Sequence, residues 1–404
     1  MEAPRGPPDT APVMAHRTSP RRVLVAGGGI AGLEAVLALR ELAGDAVEAT
    51  VVDPGRRFTV PGTATAGAFG LGTTVDLRLA DVVHRAGATL VPGRIASVDA
   101  ARHVVLLDGG ELLTYDALVV AVGAVPVAAV PGALTFRGPQ DVEAVRGMVD
   151  DVSHRALRGA GVEMAIVVPP GCGWPLAAYE LALMTREHLA GQGAGDSVTI
   201  CVVTSEETPL GLFGTDASSA VQRTLARSRI DVRTGAEVRC WSAGCLRLAA
   251  GSTIWADRAI ALPVQRGPGL EGLPADPLGF IPTGDDARVP GIADVWAVGD
   301  GTTNPVKQGG IACQQADVAA GQIAEALAGT PPDGSPVPPS LSGWMWDGRR
   351  GRALPSGAAD PAEGAADPAP VWPVAKVGGR FLAPFLRDMV VDRRPDGGTV
   401  GVPA

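Results

Sequence analysis

A glycine-rich turn near the start of this 404-residue sequence has the spacing that a dinucleotide phosphate requires. The stretch GGGIAG places Gly27, Gly29 and Gly32 in a G-x-G-x-x-G pattern between a strand-like and a helix-like segment. Gly27 permits the tight turn, Gly29 lets the backbone approach a pyrophosphate, and Gly32 lets the helix pack closely on the strand. The helix start at Ile30 and Ala31 would attract the phosphate charge.

Asp53 ends the next apolar, strand-like segment. A carboxylate at this position can accept hydrogen bonds from the ribose of an adenosine. Strand, glycine turn, helix and acidic strand end together form one βαβ unit. We therefore predict that this unit binds a dinucleotide.

A second turn, GCGWPLAAYE at 171–180, occupies the same position in a later strand-turn-helix segment but lacks the glycine fingerprint. Trp174 stands at the helix start, where a nicotinamide site needs small residues. The following strand ends in Thr204 and Ser205, where an acid that binds ribose is expected, and Glu206 comes only later. Both parts of the fingerprint are degraded, which argues against binding of a nicotinamide nucleotide.

Strand-like and helix-like segments alternate along most of the chain, which predicts an α/β fold of parallel sheets wound by helices. We expect two Rossmann-like, three-layer dinucleotide-binding domains, the second inserted in the first, and a small C-terminal tail region. The predicted divisions are a disordered tail over 1–20, the first domain over 21–140 and 265–330, the insert over 141–264, and a linker and tail over 331–404.

The composition excludes several classes of protein. A formal net charge of −9 argues against a nucleic-acid partner, because phosphate binding needs a clustered basic surface. No apolar run reaches the roughly 18 residues that a membrane-spanning helix needs, and the N-terminal segment lacks the apolar core of a secretory signal. The five cysteines form no disulfide framework, and the histidines suggest no metal site. We expect a cytoplasmic protein.

A late strand-like segment, WAVGD, ends in Gly299 and Asp300 and is followed by GTTNPVKQGG and a helix-like stretch. With VLVAGGGIAGLEA and LTYDALVVAVGAVP, these residues resemble the FAD-dependent pyridine nucleotide-disulfide oxidoreductases, which contain two dinucleotide domains. The sequence is most similar to their sulfide:quinone reductase and type II NADH dehydrogenase branch. The resemblance extends from about residue 22 to about residue 328 and, weakly, to the tail segment WPVAKVGGRFLAPFL.

The resemblance implies that FAD is the cofactor and assigns roles to several residues. Asp300, after Gly299, would bind the ribityl chain of FAD. Gly123 would lie near the flavin, and Ile95 would offer its backbone to the adenine.

Two residues before the late helix could adjust the chemistry of a flavin. A helix that begins near Gln308 would direct its N–H groups at the flavin pyrimidine, and Lys307 would add positive charge beside it. Both effects favour an anionic reduced flavin. The alternative for Lys307 is a solvated lysine in a loop.

The cysteines separate this chain from the sulfide-oxidising branch that it resembles. Those enzymes use cysteines that attack sulfide, one of them in the tail half, whereas no cysteine follows Cys313. Cys172 lies near one of the family's cysteine regions and beside a helix start that would favour a thiolate; the alternative is a small loop thiol. Cys240 and Cys245 lie in a predicted hairpin around a Ser-Ala-Gly turn and could pair across the strands if oxidised.

Glu180 is the candidate for proton transfer. It shares the apolar face of its predicted helix with Leu176, Tyr179, Leu183 and Met184. A carboxylate among apolar neighbours would have a raised pKa and could carry protons at neutral pH. The alternative is a buried glutamate that is bonded to the backbone or to an arginine.

The tail segment AKVGGRFLAPFLRDMVVDRR combines apolar and basic residues. Its apolar face, Phe381, Leu382, Phe385 and Leu386, with the basic Lys376 and several arginines beside it, could lie on a membrane surface and receive a quinone. The alternative is that this face packs on the protein.

These observations predict an FAD-dependent oxidoreductase that passes electrons from a small reductant through FAD to a quinone or another acceptor. Glu180, Lys307 and Cys172 are the catalytic candidates. One alternative is an NAD(P)H:acceptor reductase with an atypical second site. Another is a flavin-binding partner or electron carrier without turnover of its own. A homodimer is compatible with the sequence, which does not determine the oligomeric state.

Overall fold

The computed structural model describes residues 19–71, 75–328, 338–355 and 374–391. The disordered tail expected before residue 19 and the linkers expected near 330–337 and 356–373 lie outside these residues.

The strands fall into two groups along the chain. The first group is β1 (Arg21–Ala26), β2 (Val47–Asp53), β3 (Arg57–Thr59), β4 (Asp76–Arg78), β5 (Thr89–Pro92), β6 (Ile95–Asp99), β7 (Val104–Leu107), β8 (Leu112–Thr114), β9 (Ala117–Val120) and β10 (Val125–Val127). The second group is β11 (Leu134–Thr135), β12 (Val162–Val168), β13 (Val198–Thr204), β14 (Ile230–Arg233), β15 (Val238–Ser242), β16 (Cys245–Leu248), β17 (Thr253–Trp255), β18 (Arg258–Ala261), β19 (Val264–Arg266), β20 (Val295–Ala297), β21 (Ser342–Trp346) and β22 (Gly351–Pro355).

The α-helices of the described residues alternate with these strands. They are α1 (Ile30–Ala43), α2 (Ala64–Gly67), α3 (Leu79–Arg85), α4 (Val142–Leu157), α5 (Leu176–Gly191), α6 (Thr215–Arg227), α7 (Gly309–Ala328), α8 (Val374–Val377) and α9 (Leu382–Val391).

The first large sheet has the order β20-β9-β1-β2-β5, and all of its strands are parallel. Its central strands are short apolar runs that are buried on both faces, as parallel strands covered on two sides must be. Helices α1 and α7 cover one face, and the antiparallel sheet β6-β7-β8 covers the other. The result is three layers.

The second large sheet repeats this design with the order β11-β18-β12-β13-β14, again parallel. Helices α4, α5 and α6 pack on one face, and the antiparallel sheet β15-β16-β17 packs on the other. In sequence this sheet lies between β9 and β20 of the first. The predicted α/β class with parallel sheets is confirmed, and β11 joins the second sheet a few residues before the predicted boundary at 141.

The described part of the tail divides between the two cores. The hairpin β21-β22 buries Met345 and Leu354 in the core around α5. Helix α9 buries Leu382 and Leu386 against α1 and α7, so these two side chains are unavailable to a membrane. The structure thus follows the alternative in which this face packs on the protein. None of the described helices has both the length and the apolarity to cross a membrane.

The predicted hairpin around Ala243 and Gly244 is confirmed, but its two cysteines are not opposite each other. Cys240 lies across from Arg247, and Cys245 lies across from Ser242. The suggestion that these thiols pair across the strands is therefore wrong, because the register places them in different cross-strand pairs. All five cysteines are free thiols.

Candidate functional site

The three glycines of the first turn have different surroundings. Gly27 has a φ of 111°, and a Cβ there would lie 2.3 Å from the oxygen of Ala121. A Cβ on Gly32 would lie 1.9 Å from the oxygen of Gly27. A Cβ on Gly29 would meet no atom within 4 Å. These are the conditions that a tight turn, a close packing contact and an open approach to a ligand require.

The turn opens into a cavity of about 740 Å³, which we call the central cavity. The N-termini of two helices reach it, that of α1 at Ile30 and that of α7 at Gly309. The first N–H groups of each helix lack an intrahelical partner, so the cavity favours a ligand with negative charge at two points. Its lining includes Gly27–Ala31, Asp53, Arg57, Ala121–Ala124, Arg137, Val298–Asp300 and Lys307–Gly309.

Asp53 lies at the end of β2 and fixes the glycine turn. Its Oδ2 atom accepts the N–H of Gly28 at 2.7 Å, and its Oδ1 atom accepts the N–H of Gly55 at 2.6 Å. Each carboxylate oxygen can still accept a second hydrogen bond at the cavity surface. The predicted ribose contact is therefore sterically and chemically open.

Asp300 follows β20 and lines the central cavity, but its carboxylate accepts no hydrogen bond from the described residues. Burial raises the pKa of Asp300 to about 6, although the positive charge of Lys307 opposes the shift. A partly buried carboxylate without hydrogen-bond donors needs a partner. The predicted ribityl hydroxyl would be such a partner.

Lys307 is only 9% exposed, which excludes the alternative of a solvated loop lysine. Its ammonium donates to the oxygen of Thr302 at 2.6 Å and lies 3.9 Å from the centre of the Phe280 ring. Burial lowers the pKa of Lys307 to about 8, while the charges of Asp300 and Asp276 oppose the shift. At neutral pH it is a desolvated cation in the cavity wall.

Gln308 lies directly before α7, which begins one residue later than the sequence suggested. Its side-chain oxygen accepts the N–H of Ile311 at 2.8 Å and caps the helix. Its side-chain nitrogen donates to the oxygen of Ser342 in β21 at 3.3 Å. Gln308 thus joins the helix to the tail hairpin at the cavity edge.

Gly123 and Ile95 have different positions relative to the cavity. Gly123 lines it with a φ of 72°, and a Cβ there would meet no atom within 4 Å. Ile95 begins β6, and its side chain packs in the core on the far face of the first sheet, away from the cavity lining. Its predicted contact with the adenine, made through the backbone, stays a prediction.

Glu180 is 2% exposed on α5, but its carboxylate is not among apolar groups. Its Oε2 atom accepts the hydroxyl of Thr65 at 3.0 Å, and its Oε1 atom accepts the N–H of Trp346 at 2.8 Å. The ammonium of Lys376 donates to the same Oε1 atom and pairs with its charge. The premise of an apolar surrounding is wrong, and the alternative of a buried, bonded glutamate describes the contacts, with lysine in place of arginine.

Lys376 is the site residue that the sequence did not reveal. The sequence places it among the basic residues of the tail, yet its side chain is 7% exposed and lines the central cavity. It also donates to the oxygen of Trp344 at 2.7 Å. A buried ion pair at a cavity wall combines a proton donor with a proton acceptor. Lys376 and Glu180 lie 196 positions apart, so no pattern of neighbouring residues in the sequence indicates that they pair.

Cys172 lines the cavity, but its surroundings do not favour a thiolate. Burial raises the pKa of its thiol to about 12; the backbone N–H of Trp174 lowers it, and the charge of Glu206 raises it further. The expectation that the helix start would favour ionisation is wrong, because desolvation outweighs it. At neutral pH Cys172 is a protonated thiol.

The second turn is filled by contacts within the protein. A Cβ on Gly173 would lie 2.3 Å from Cγ of Lys307, so this glycine accommodates a side chain of the chain itself. The Trp174 ring packs edge-on against Phe213, with ring centres 5.8 Å apart. A Cβ on Gly343 of β21 would lie 2.6 Å from the same Phe213 ring, so the tail hairpin closes over this packing.

Glu206 is likewise engaged by the protein. Its carboxylate accepts the hydroxyl of Tyr179 at 2.5 Å, the hydroxyl of Thr204 at 2.9 Å and the N–H of Leu210 at 3.1 Å. Burial raises the pKa of Glu206, and these three donors oppose the shift. Glu206, the acidic residue nearest to the end of β13, is therefore directed into the protein.

These residues fit the FAD that the resemblance implies. The space at Gly29, the free acceptor capacity of Asp53 and the unbonded carboxylate of Asp300 lie along one cavity. The second turn offers no comparable approach for a phosphate.

Comparisons with known proteins identify the family of the chain. The family model for pyridine nucleotide-disulphide oxidoreductases matches residues 21–322. A NADH dehydrogenase-like protein of Mycobacterium tuberculosis is 31% identical over 293 residues, which are 69% of this chain and 72% of the relative. The resemblance inferred from the sequence is confirmed.

Two solved structures show the same fold at low identity. The sulfide:quinone oxidoreductase of Aquifex aeolicus matches with a TM-score of 0.73 and 20% identity, covering 82% of each chain. The NDH2 of Plasmodium falciparum in complex with NADH matches with a TM-score of 0.56 and 14% identity, covering 70% of this chain and 64% of that one.

Proposed function

The chain belongs to the pyridine nucleotide-disulphide oxidoreductase family and is an oxidoreductase, and from this premise we propose its cofactor, donor and acceptor. The proposed cofactor is FAD in the central cavity. The proposed reaction takes electrons from a small reductant other than a nicotinamide nucleotide and passes them to a quinone or another small acceptor.

The observation that carries this proposal is the filled second turn. A nicotinamide dinucleotide would need the space beside Gly173 for its pyrophosphate and a free carboxylate after β13 for its ribose. Lys307 and Trp174 occupy the first position, and Glu206 is bonded within the protein at the second. Binding would therefore cost several internal contacts before any contact with the nucleotide formed.

The chain's residues divide into cofactor-binding and substrate-facing groups. Gly27, Gly29, Gly32, Asp53 and Asp300 would hold FAD, which when bound accepts and releases the electron pair. The positive charge of Lys307 and the N-terminus of α7 would favour the reduced, more negative form.

Glu180 and Lys376, which also line the central cavity, would face the substrate. Their ion pair can hold a proton at Nζ of Lys376 and a negative charge at Glu180, next to the place of electron transfer. Cys172 would contribute a neutral thiol to the same wall rather than a nucleophile.

One observation favours a second candidate function, an NAD(P)H:acceptor reductase. The relative from Mycobacterium tuberculosis is named NADH dehydrogenase-like, and its alignment, at 31% identity, covers 69% of this chain. This function would require Trp174 and the tail hairpin to move away from the second turn. A flavin-binding carrier without turnover of its own is the third candidate.

Anaerobic reduction of the purified yellow protein separates these candidates. We expect NADH and NADPH to leave the flavin absorbance unchanged over minutes, while dithionite, as the control, bleaches it. Rapid bleaching by either nucleotide would contradict the proposal and support the second candidate. Bleaching by none of a panel of sulfide, thiols and amines would favour the carrier.

A further inference from the structure

Glu34 is a completely buried carboxylate on α1 that the proposed electron transfer does not use. Its Oε1 atom accepts the N–H of Phe381 at 2.9 Å, and its Oε2 atom accepts the N–H of Leu382 at 2.6 Å. These N–H groups lie at the start of α9, so a residue from the first helix caps the last. A Cβ on Gly379 would lie 2.5 Å from Oε2, which shows how closely the tail approaches.

The segment that Glu34 holds also carries Lys376. Val377, the next residue, is fully buried against the core formed by α1 and α7. Lys376 in turn reaches Glu180 and the oxygen of Trp344 in the central cavity. The cap on α9 and the ion pair in the cavity are therefore joined through a few residues of closely packed backbone.

We propose that Glu34 is a positioning residue for the central cavity: by fixing the start of α9, it keeps Lys376 beside Glu180. The inference rests on the proposed function only in taking this cavity as the place of reaction. Glu34 itself lies outside the cavity lining and acts through the tail backbone.

We expect this docking to depend on pH through Asp317 on α7. Its Oδ1 atom is buried and has no hydrogen-bond partner in the described part of the chain. The groups that face it are Glu34 from α1, Cys313 from α7 and Arg380 ahead of α9. Burial and then the charge of Glu34 raise the pKa of Asp317 to about 7, and Arg380 opposes the shift.

The sign of the pH effect follows from proton linkage. With the tail docked, Asp317 keeps its proton up to about pH 7, whereas in an undocked, hydrated state it would lose it near its ordinary value of 3.8. The docked state therefore binds more protons between these values. Docking weakens as pH rises through this window and becomes independent of Asp317 above it.

The test is the chemical accessibility of Lys376 in the FAD-loaded full chain. In Glu34→Gln, loss of the charged acceptor should raise the rate of Lys376 acylation by an amine reagent, read by mass spectrometry, about tenfold. Hydrogen exchange at the α9 amides should rise in parallel. Glu41→Gln, an exposed position on the same helix, is the matched control and should change neither rate.

Asp317→Asn gives a second measurement that keeps the Glu34 carboxylate. In the wild type, α9 exchange corrected for its intrinsic pH dependence should rise severalfold from pH 5.5 to 7.5. In Asp317→Asn it should stay constant, because an amide replaces the proton-binding group. An equal rise in both proteins would overturn the role assigned to Asp317.

Faster α9 exchange in Glu34→Gln with unchanged labelling of Lys376 would mean that Glu34 only caps a helix, and would overturn the positioning role. Neither readout requires turnover or knowledge of the electron donor. Failure of the proposed function would therefore show in the reduction assay, and failure of this inference in the labelling.

Discussion

The hydroxyl of Tyr179 on α5 donates a 2.5 Å hydrogen bond to the carboxylate of Glu206 beyond β13. Both side chains lie where the second βαβ unit would receive the ribose of a nucleotide. A glutamate in this position could bind a ribose, but here the bond directs the Glu206 carboxylate into the protein. It also links α5 to the end of β13.

Removing this bond should destabilise the fold. We expect Tyr179→Phe to lower the free energy of unfolding by about 1–3 kcal/mol, because the buried Glu206 carboxylate loses a donor. The matched control is Tyr115→Phe, since the Tyr115 hydroxyl is buried and has no hydrogen-bond partner among the described residues. Urea unfolding of both variants measures the difference, and equal losses would contradict the structural role of the Tyr179 bond.

Two alanine substitutions in the first turn should have opposite consequences. Gly29→Ala places its Cβ in open space and should leave the apoprotein stable but weaken FAD binding strongly, because the methyl group meets the pyrophosphate. Gly32→Ala places its Cβ 1.9 Å from a backbone oxygen and should destabilise the apoprotein itself. Thermal unfolding without FAD, followed by fluorescence titration with FAD, distinguishes the two. Tight FAD binding by Gly29→Ala would exclude the assigned site.

Asp300 should contribute to affinity for FAD rather than to folding. Loss of one charged hydrogen bond to a ligand corresponds to about 1.5–3 kcal/mol, so Asp300→Ala should weaken FAD binding about ten- to hundredfold. Asp300→Asn keeps one acceptor and should weaken it less. Because the carboxylate has no donor among the described residues, apoprotein stability should not fall. A drop in apoprotein stability comparable with the loss of affinity would argue for a structural aspartate.

Lys307 should make the apoprotein more stable as pH rises. Its pKa in the folded chain is lowered from 10.5 to about 8, so between these values the unfolded chain binds a proton that the folded chain lacks. The unfolding free energy of the wild type should therefore gain relative to Lys307→Met between pH 8 and 10.5. Urea titrations at three pH values in this range give the slope for each protein. Parallel slopes would mean that the lysine is not desolvated.

We expect that Cys240 and Cys245 do not form a disulfide with each other. Since Cys240 and Cys245 face Arg247 and Ser242 rather than each other, mild oxidation should not join them. Thiol titration of the denatured protein should give five equivalents before and after exposure to oxidised glutathione and subsequent gel filtration. Loss of two equivalents, with a 240–245 linked peptide by mass spectrometry, would contradict the register.

Local features of the site could be predicted from the sequence because their causes are local. The spacing of Gly27, Gly29 and Gly32 determines a turn within one βαβ unit, and the helix-like stretch after GTTNPVKQGG indicates a helix start near Gln308. Trp174 at the second helix start likewise predicts that no phosphate binds there, because a large ring at that position has to pack on a neighbour.

Contacts between distant segments could not be predicted in this way. Lys376 meets Glu180 across 196 positions, and Leu382 meets Glu34 across 348. A tail rich in apolar and basic residues could pack on a membrane surface or on the protein. The sequence alone does not show that α1 and α7 offer an apolar surface on which α9 packs. The same limit applies to Cys172, whose ionisation depends on burial by remote segments.

The cavity walls are contributed by Gly29 at one extreme and by Trp344 and Lys376 at the other. A ribosome therefore releases the glycine turn hundreds of residues before the last wall can form. The first sheet is itself complete only once β20 has been synthesised, and the cavity only once the tail segment follows.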